Sequence, residues 1–219
     1  MTPKTLDHVA LWVPNRDELA ELTEHELNAH VIERNDRFTL VGVDARRGKL
    51  TLFEADGPRE RGALAHVAFR VAALPEGERA LRPEGLAGAE VRVVEHPTDV
   101  DYDLDHVALL SADPAAAAED YVRLGFRRAE PGPSGAPRVE VGGAYVELHE
   151  GDPGLPERPL LHHLAVLVDS AADHRDEAER LGFEIDDWVD APNTLAAFVR
   201  GPDGVRIEYV EHKPTFSLV

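Results

Sequence analysis

The 219-residue sequence contains no cysteine, so neither a disulfide nor a thiolate ligand can contribute, and any metal must be held by imidazole, carboxylate or carbonyl groups. Lysine is nearly as scarce, at positions 4, 49 and 213 only. The 23 basic residues are outnumbered by 42 acidic ones. The formal charge of −19 would repel a polyanion, which argues against a nucleic-acid partner. An acidic, lysine-poor surface is compatible with a high-GC genome or with a salty cytoplasm. No stretch approaches 18 uninterrupted apolar residues, and Met1 to Asp7 lack the charged-then-apolar pattern of a signal segment. A soluble cytoplasmic protein with no membrane partner is therefore expected. At 43% hydrophobic residues, the chain can bury one large core or two modest ones.

Self-similarity organises the chain. Four short strand-like runs carry a histidine at the same place: Leu6 to Leu11 around His8, Leu64 to Phe69 around His66, Leu104 to Leu109 around His106, and Leu161 to Val166 around His163. His8 to His106 spans 98 residues and His66 to His163 spans 97, so the chain reads as a tandem duplication of a pair. Helix signals follow three of the runs. Asn15 has Glu18 placed for a capping box, Asp113-Pro114 supplies an N-cap with proline at N1, and Ser170 opens the third. Two helices stop at an identical Leu-Gly-Phe (124 to 126, 181 to 183) and the first at Asn28, since glycine and asparagine tolerate the left-handed cap. Strand runs at Phe38 to Val43, Arg138 to Val141 and Leu195 to Val199, with turns at Arg47-Gly48, Gly142-Gly143 and Pro202 to Gly204, complete a β-α-β-β-β module. The second module is truncated. Only 40 residues separate His66 from His106, leaving room for a short helix around Pro75 to Leu81 and one or two strands, including Ala89 to Glu95.

The last strands of modules 3 and 4, Tyr145 to Glu150 and Arg206 to Glu211, each place a glutamate opposite in face to its apolar neighbours. His106 shares a strand face with Ala108, whose small side chain leaves space for a ligand. His106, Glu147, His163 and Glu208 thus form a mixed nitrogen and oxygen set suited to a divalent Fe, Mn, Co, Ni or Zn ion. Module 1 has Thr51 or Leu52 where the glutamate would stand, and module 2 has none. His8 and His66 are accordingly expected to be structural or vestigial. The expected organisation is an N-terminal pair of modules over 1–102 with a degenerate site and a C-terminal pair over 103–219 carrying the metal.

The Asp-His-Val-Ala-Leu openings, the Gly-Pro-Asp-Gly-Val-Arg-Ile-Glu-Tyr-Val-Glu ending at 201 to 211 and the repeated modules resemble the vicinal oxygen chelate superfamily of glyoxalases, bleomycin-resistance proteins and extradiol dioxygenases. The resemblance implies an α+β fold in which βαβββ modules pair into half-open cup-shaped sheets with flanking helices, and a metal that chelates adjacent oxygens of a small substrate. It implies His106 and Glu147 as ligands from one module, and His163 and Glu208 from the other, with His162 pointing away. A four-ligand site resembles the glyoxalase-like isomerases, epimerases and lyases, with Glu147 or Glu208 as base and His149 assisting. Ring cleavage by an extradiol dioxygenase with Fe(II) is the alternative, using His106, His163 and Glu208. Under that reading Glu147 would fill a position the reaction needs open, and Phe198 stands where a tyrosine is expected. A metabolite- or drug-binding resistance protein is the third reading. The degenerate half would then serve as scaffold or as the interface of a homodimer.

Overall fold

A computed structural model describes residues 2–44, 47–132 and 134–216. The outer limits expected for the two halves, 1 and 219, lie outside it. Module 1 comprises β1 (Thr5–Val13), α1 (Arg16–Leu27), β2 (His30–Arg34), β3 (Phe38–Gly42) and β4 (Lys49–Glu54). Module 2 has only β5 (Leu64–Val71), β6 (Glu78–Leu81) and β7 (Glu90–Glu95). Module 3 runs through β8 (Asp103–Ser111), α2 (Pro114–Arg123), β9 (Arg127–Ala129), β10 (Arg138–Val141) and β11 (Ala144–Glu150). Module 4 follows with β12 (Leu161–Leu167), α3 (Ala171–Arg180), β13 (Ile185–Asp190), β14 (Thr194–Arg200) and β15 (Arg206–His212).

The caps act as the sequence expects. Asn15, Asp113 and Ser170 accept hydrogen bonds from the backbone N–H three residues on, and Asn28, Gly125 and Gly182 take positive φ where the helices end. Module 2 departs from expectation, because Pro75 to Leu81 form no helix. Gly77 takes positive φ and residues 78–81 pair as an edge strand with β7, Glu78 lying opposite Val94. Proline and glycine in this short linker leave no uninterrupted turn to nucleate a helix.

The module pairing also differs from the expected halves. One sheet has the order β13-β14-β15-β12-β1-β4-β3-β2 and the other β6-β7-β5-β8-β11-β10-β9. Module 1 therefore pairs with module 4, and module 2 with module 3. The connections between modules 1 and 2 and between modules 3 and 4 cross side by side, tied by a Glu60–Pro159 bridge and an Arg158–Asp56 ion pair. Each module closes on itself through parallel first and last strands, and partners join through antiparallel first strands, β1 on β12 and β5 on β8.

Alternation along these strands separates two faces. Val9, Leu11, Leu50, Leu52, Leu164, Val166 and Ile207 join Val67, Val107, Leu109, Val146 and Leu148 in one apolar cluster that runs through both sheets. Burying each large aliphatic side chain contributes about 1.5–3 kcal/mol, so register is strongly held. His8, Ala10 and Trp12, offset by one residue, face away from that core. Among the described residues no helix is long and apolar enough to cross a membrane.

The sheets meet closely at the β10–β11 turn. A Cβ on Gly142 (φ +59) would stand 2.3 Å from the Lys4 carbonyl oxygen and 2.6 Å from Thr5 Cα, whereas one on Gly135 (φ +77) would meet nothing within 4 Å. Both glycines need left-handed backbone, but only Gly142 also meets another strand. Gly142→Ala is therefore expected to cost about 1–3 kcal/mol more than Gly135→Ala in urea unfolding; equal costs would remove this contact from the docking of the sheets.

Candidate metal centre

The four residues expected to form one site are divided between the sheets. His163 and Glu208 lie on the eight-stranded sheet, where His8 joins them; His106 and Glu147 lie on the seven-stranded sheet with His66. Within each trio the ligand atoms lie within 4.8 Å of one another. His8 and His66, expected to be vestigial, are thus each part of a constellation. The cause is the pairing through first strands, which sets His8 opposite Ala165 and Ala10 opposite His163. In the other sheet His66 lies opposite Ala108 and Ala68 opposite His106.

The register settles what stands at the glutamate position of each module. Glu147 pairs with Ala108 and Glu208 with Ala165; the same place beside Ala10 is taken by Thr51, and beside Ala68 by Arg92. The first constellation therefore has two histidines, one glutamate and a threonine, the second two histidines, one glutamate and an arginine.

The first trio converges. His8 Nε2 stands 2.9 Å from His163 Nε2 and 3.3 Å from Glu208 Oε2, and His163 Nε2 stands 2.9 Å from that same oxygen. Donor atoms about 2.1 Å from a shared ion and at right angles to each other stand ~3.0 Å apart, against ~3.4 Å at tetrahedral angles. Two of the observed edges, at 2.9 Å, fit right angles, and the third, at 3.3 Å, is nearer the tetrahedral value. Glu208 Oε2 is buried, and neither imidazole approaches it along a hydrogen-bonding direction. A buried carboxylate oxygen in that state calls for a cation, so the donor set fits a divalent ion.

Strand bulges supply the support behind these ligands. Asp7 is the extra residue of β1 and His162 that of β12, with Asp105 in the matching place of β8. Each sits directly before a ligand histidine and bonds its Nδ1: Asp7 to His8 at 2.8 Å, Asp105 to His106 at 2.6 Å, and His162 to His163. A bulge re-aims a side chain that strict alternation would send to the other face. His162, expected to point away, instead has its ring 4.7 Å from that of His163 and 4.9 Å from that of Phe53. The aspartates fix the tautomer of His8 and His106 and leave Nε2 to the metal, while His162 holds the ring of His163 in place. Among the described residues His66 has no Nδ1 partner of this kind, because Ala65 is its bulge residue.

Charge follows from these contacts. Burial pushes Asp7 up, but the Lys49 ammonium 2.8 Å away and hydrogen bonds from His212 and His8 outweigh it and hold its carboxyl well below the usual range. For His8, burial opposes protonation, yet the carboxylates of Asp7 and Glu208 raise its pKa to about 9. Burial lowers His163 and takes His162 down to about 2, so both are neutral. Glu208 is held well below the usual carboxylate range, its burial outweighed by His163 and His8. Without metal, His8 is therefore protonated on both nitrogens, Nδ1 donating to Asp7 and Nε2 placing a proton among the ligand atoms.

Aromatic rings line this cup. Trp12 lies 5.0 Å from Phe53, Phe53 lies 5.9 Å from Phe38, and Phe198 lies 5.3 Å from His163, with the Arg206 guanidinium over its ring. Of this lining the sequence pointed only to Phe198, at the place where ring cleavage would call for a tyrosine. Trp12 and Phe53 share the parity of His8 and Thr51, a signal usable only once the paired strands are known.

The second trio is looser. His66 Nε2 is 2.8 Å from His106 Nε2, but His106 Nε2 is 3.9 Å from Glu147 Oε2. Glu147 is taken by other partners: Arg138 pairs with its Oε1, and His149, expected to assist in catalysis, lies 3.3 Å from its Oε2.

Residues 103–209 match the model of the family described as Glyoxalase/Bleomycin resistance protein/Dioxygenase superfamily. No curated protein sequence matches the chain. Among solved structures, a protein with a provisional dioxygenase assignment from Bacillus subtilis subsp. subtilis str. 168 is similar with TM-score 0.79 and 14% identity, over 98% of this chain and 87% of that one. Glyoxalase I from Zea mays is similar with TM-score 0.74 and 13% identity, over 96% of this chain and 92% of that one. At such identity the likeness is one of fold.

Metal binding at the first trio must displace the His8 proton. Calorimetry in buffers of differing ionisation enthalpy should show about one proton released per ion at pH 7, falling toward none above pH 9. The sign for stability follows from the raised pKa. In the metal-free chain the His8 contribution is fully present below its ordinary value of 6.5 and is lost as pH rises through about 9. Proton release that stays constant across this range would contradict the charge assigned to His8.

Proposed function

The chain belongs to the Glyoxalase/Bleomycin resistance protein/Dioxygenase superfamily through residues 103–209, and on that footing we propose that His8, His163 and Glu208 hold the working metal of an oxygen-dependent, ring-cleaving enzyme. The observation that carries this reading is the three-ligand set. Preference for isomerase or lyase chemistry rested on Glu147 as a fourth ligand, and Glu147 belongs to the other sheet. Thr51 stands in its place.

A divalent ion, Fe(II) for this chemistry, would be held by His8, His163 and Glu208 and would supply activation of two adjacent substrate oxygens and of dioxygen. The remaining work falls to the chain. Asp7 and His162 orient the two histidines, and Ala10 and Ala165 keep the cup floor low. Trp12, Phe38, Phe53 and Phe198 offer faces against which a planar ring can pack, at roughly 0.5–1.5 kcal/mol per aromatic pair beyond area burial. Catechols fit both requirements, and both oxygen atoms of O₂ enter the ring-opened product without an external reductant.

Protein purified without oxygen and loaded with Fe(II) is expected to consume O₂ with members of a catechol panel. Glu208→Gln should lose both metal and uptake. Thr51→Glu adds a carboxylate at the register of Glu208 and is expected to retain metal while oxygen uptake falls to background. Stoichiometric Fe(II) with no uptake across the panel would return the reading to lyase or isomerase chemistry.

A further inference from the structure

The duplication leaves two constellations with the same ligand types, and one register position separates them. The residue directly across the antiparallel hairpin from the glutamate is Phe198 for Glu208 and Arg138 for Glu147. We propose that this cross-strand neighbour decides which constellation takes a metal, and that Arg138 serves as a built-in cation that keeps the His66, His106 and Glu147 trio metal-free. The inference rests on the metal site proposed at His8, His163 and Glu208.

Glu147 presents Oε1 to both Nε and Nη2 of Arg138, a forked, charge-assisted contact. The pair is sealed by backbone. A Cβ on Gly132 would stand 2.7 Å from Glu147 Oε1 and 2.8 Å from Arg138 Nε, so Gly132 lies directly on the pair and a larger residue there would have to displace it. An incoming divalent ion would have to share a carboxylate already bound to a guanidinium. It would also approach Arg92, which stands at the fourth ligand position of this sheet. Arg92 is itself paired with Glu78 and Glu90, so the guanidinium of Arg138 on the ligand carboxylate is the stronger obstacle.

At the first trio each of these features is reversed. Phe198 carries no hydrogen-bond donor in its ring, and among the described residues the ion-pair partners of Glu208 are His8 and His163 alone. The nearby cation, Arg206, packs over the Phe198 ring, donates to His162 Nε2 and is paired with Asp186 and Asp187 rather than with Glu208. Both histidines of the first trio have an Nδ1 partner, whereas His66 has Ala65 before it. An arginine at one glutamate and a phenylalanine at the other thus make one site closed and the other open.

The test is the count and location of Co²⁺, read by calorimetric titration and elemental analysis of chelator-treated full-length protein. Wild type is expected to bind one ion per chain, lost in Glu208→Gln and retained in Glu147→Gln. Arg138→Phe and Arg138→Gln should each raise the count to two, the second ion disappearing when Glu147→Gln is added, while Arg138→Lys keeps it at one. Phe198→Arg should abolish the first ion. Two ions in wild type, one of them sensitive to Glu147→Gln, would overturn the proposal, as would folded Arg138→Phe and Arg138→Gln proteins that still bind one. Should both Arg138 variants fail to fold, the wild-type count and its indifference to Glu147→Gln decide. No ion in wild type, or one that survives Glu208→Gln, would instead sink the proposed function.

Discussion

Everything at the candidate centre depends on the antiparallel seam between β1 and β12. It joins two modules distant in sequence and brings His8 beside His163. Its two bulges turn Asp7 and His162 toward the histidines that follow them. Without bulges, alternation would put each supporting group on the core face. The seam is anchored by the buried pair of Asp7 and Lys49, with His8 and His212 also meeting the carboxylate. Removing one member of such a pair typically costs 3–5 kcal/mol, because the other charge stays buried. The same residue thus holds the seam and orients a ligand.

The β5·β8 seam repeats this construction, and the two outcomes illustrate how a buried carboxylate is tolerated. Glu147 and Glu208 are both buried and both lie on interior strands of a sheet. A carboxylate removed from water needs a compensating positive charge or enough hydrogen bonds. Arg138 supplies one for Glu147 from the neighbouring strand. Glu208 has histidines only, one of them protonated when no metal is present. The protein therefore reaches electrostatic balance in two ways from one ancestral arrangement, and only one of them leaves coordination positions open.

Much of the fold could be read along the chain. The four histidine-bearing openings, the N-caps at Asn15, Asp113 and Ser170 and the stops at Asn28, Gly125 and Gly182 are local, as are the alternating strands that follow. Local backbone preference and side-chain parity dictate them, so the sequence by itself determined the modules, the truncation of the second, and histidine and glutamate as the ligand types. It did not determine which modules become partners. The repeat makes His8 equivalent to His106 whether module 1 pairs with module 2 or with module 4, because equivalence carries no information about proximity. Bulges are equally silent, since one extra residue leaves the local pattern of β12 unchanged. The pairing of His8 with His163, the turn of His162 into the cup and the capture of Glu147 by Arg138 were decided only by tertiary structure. There, non-local strand contacts and the need to compensate buried charge act together.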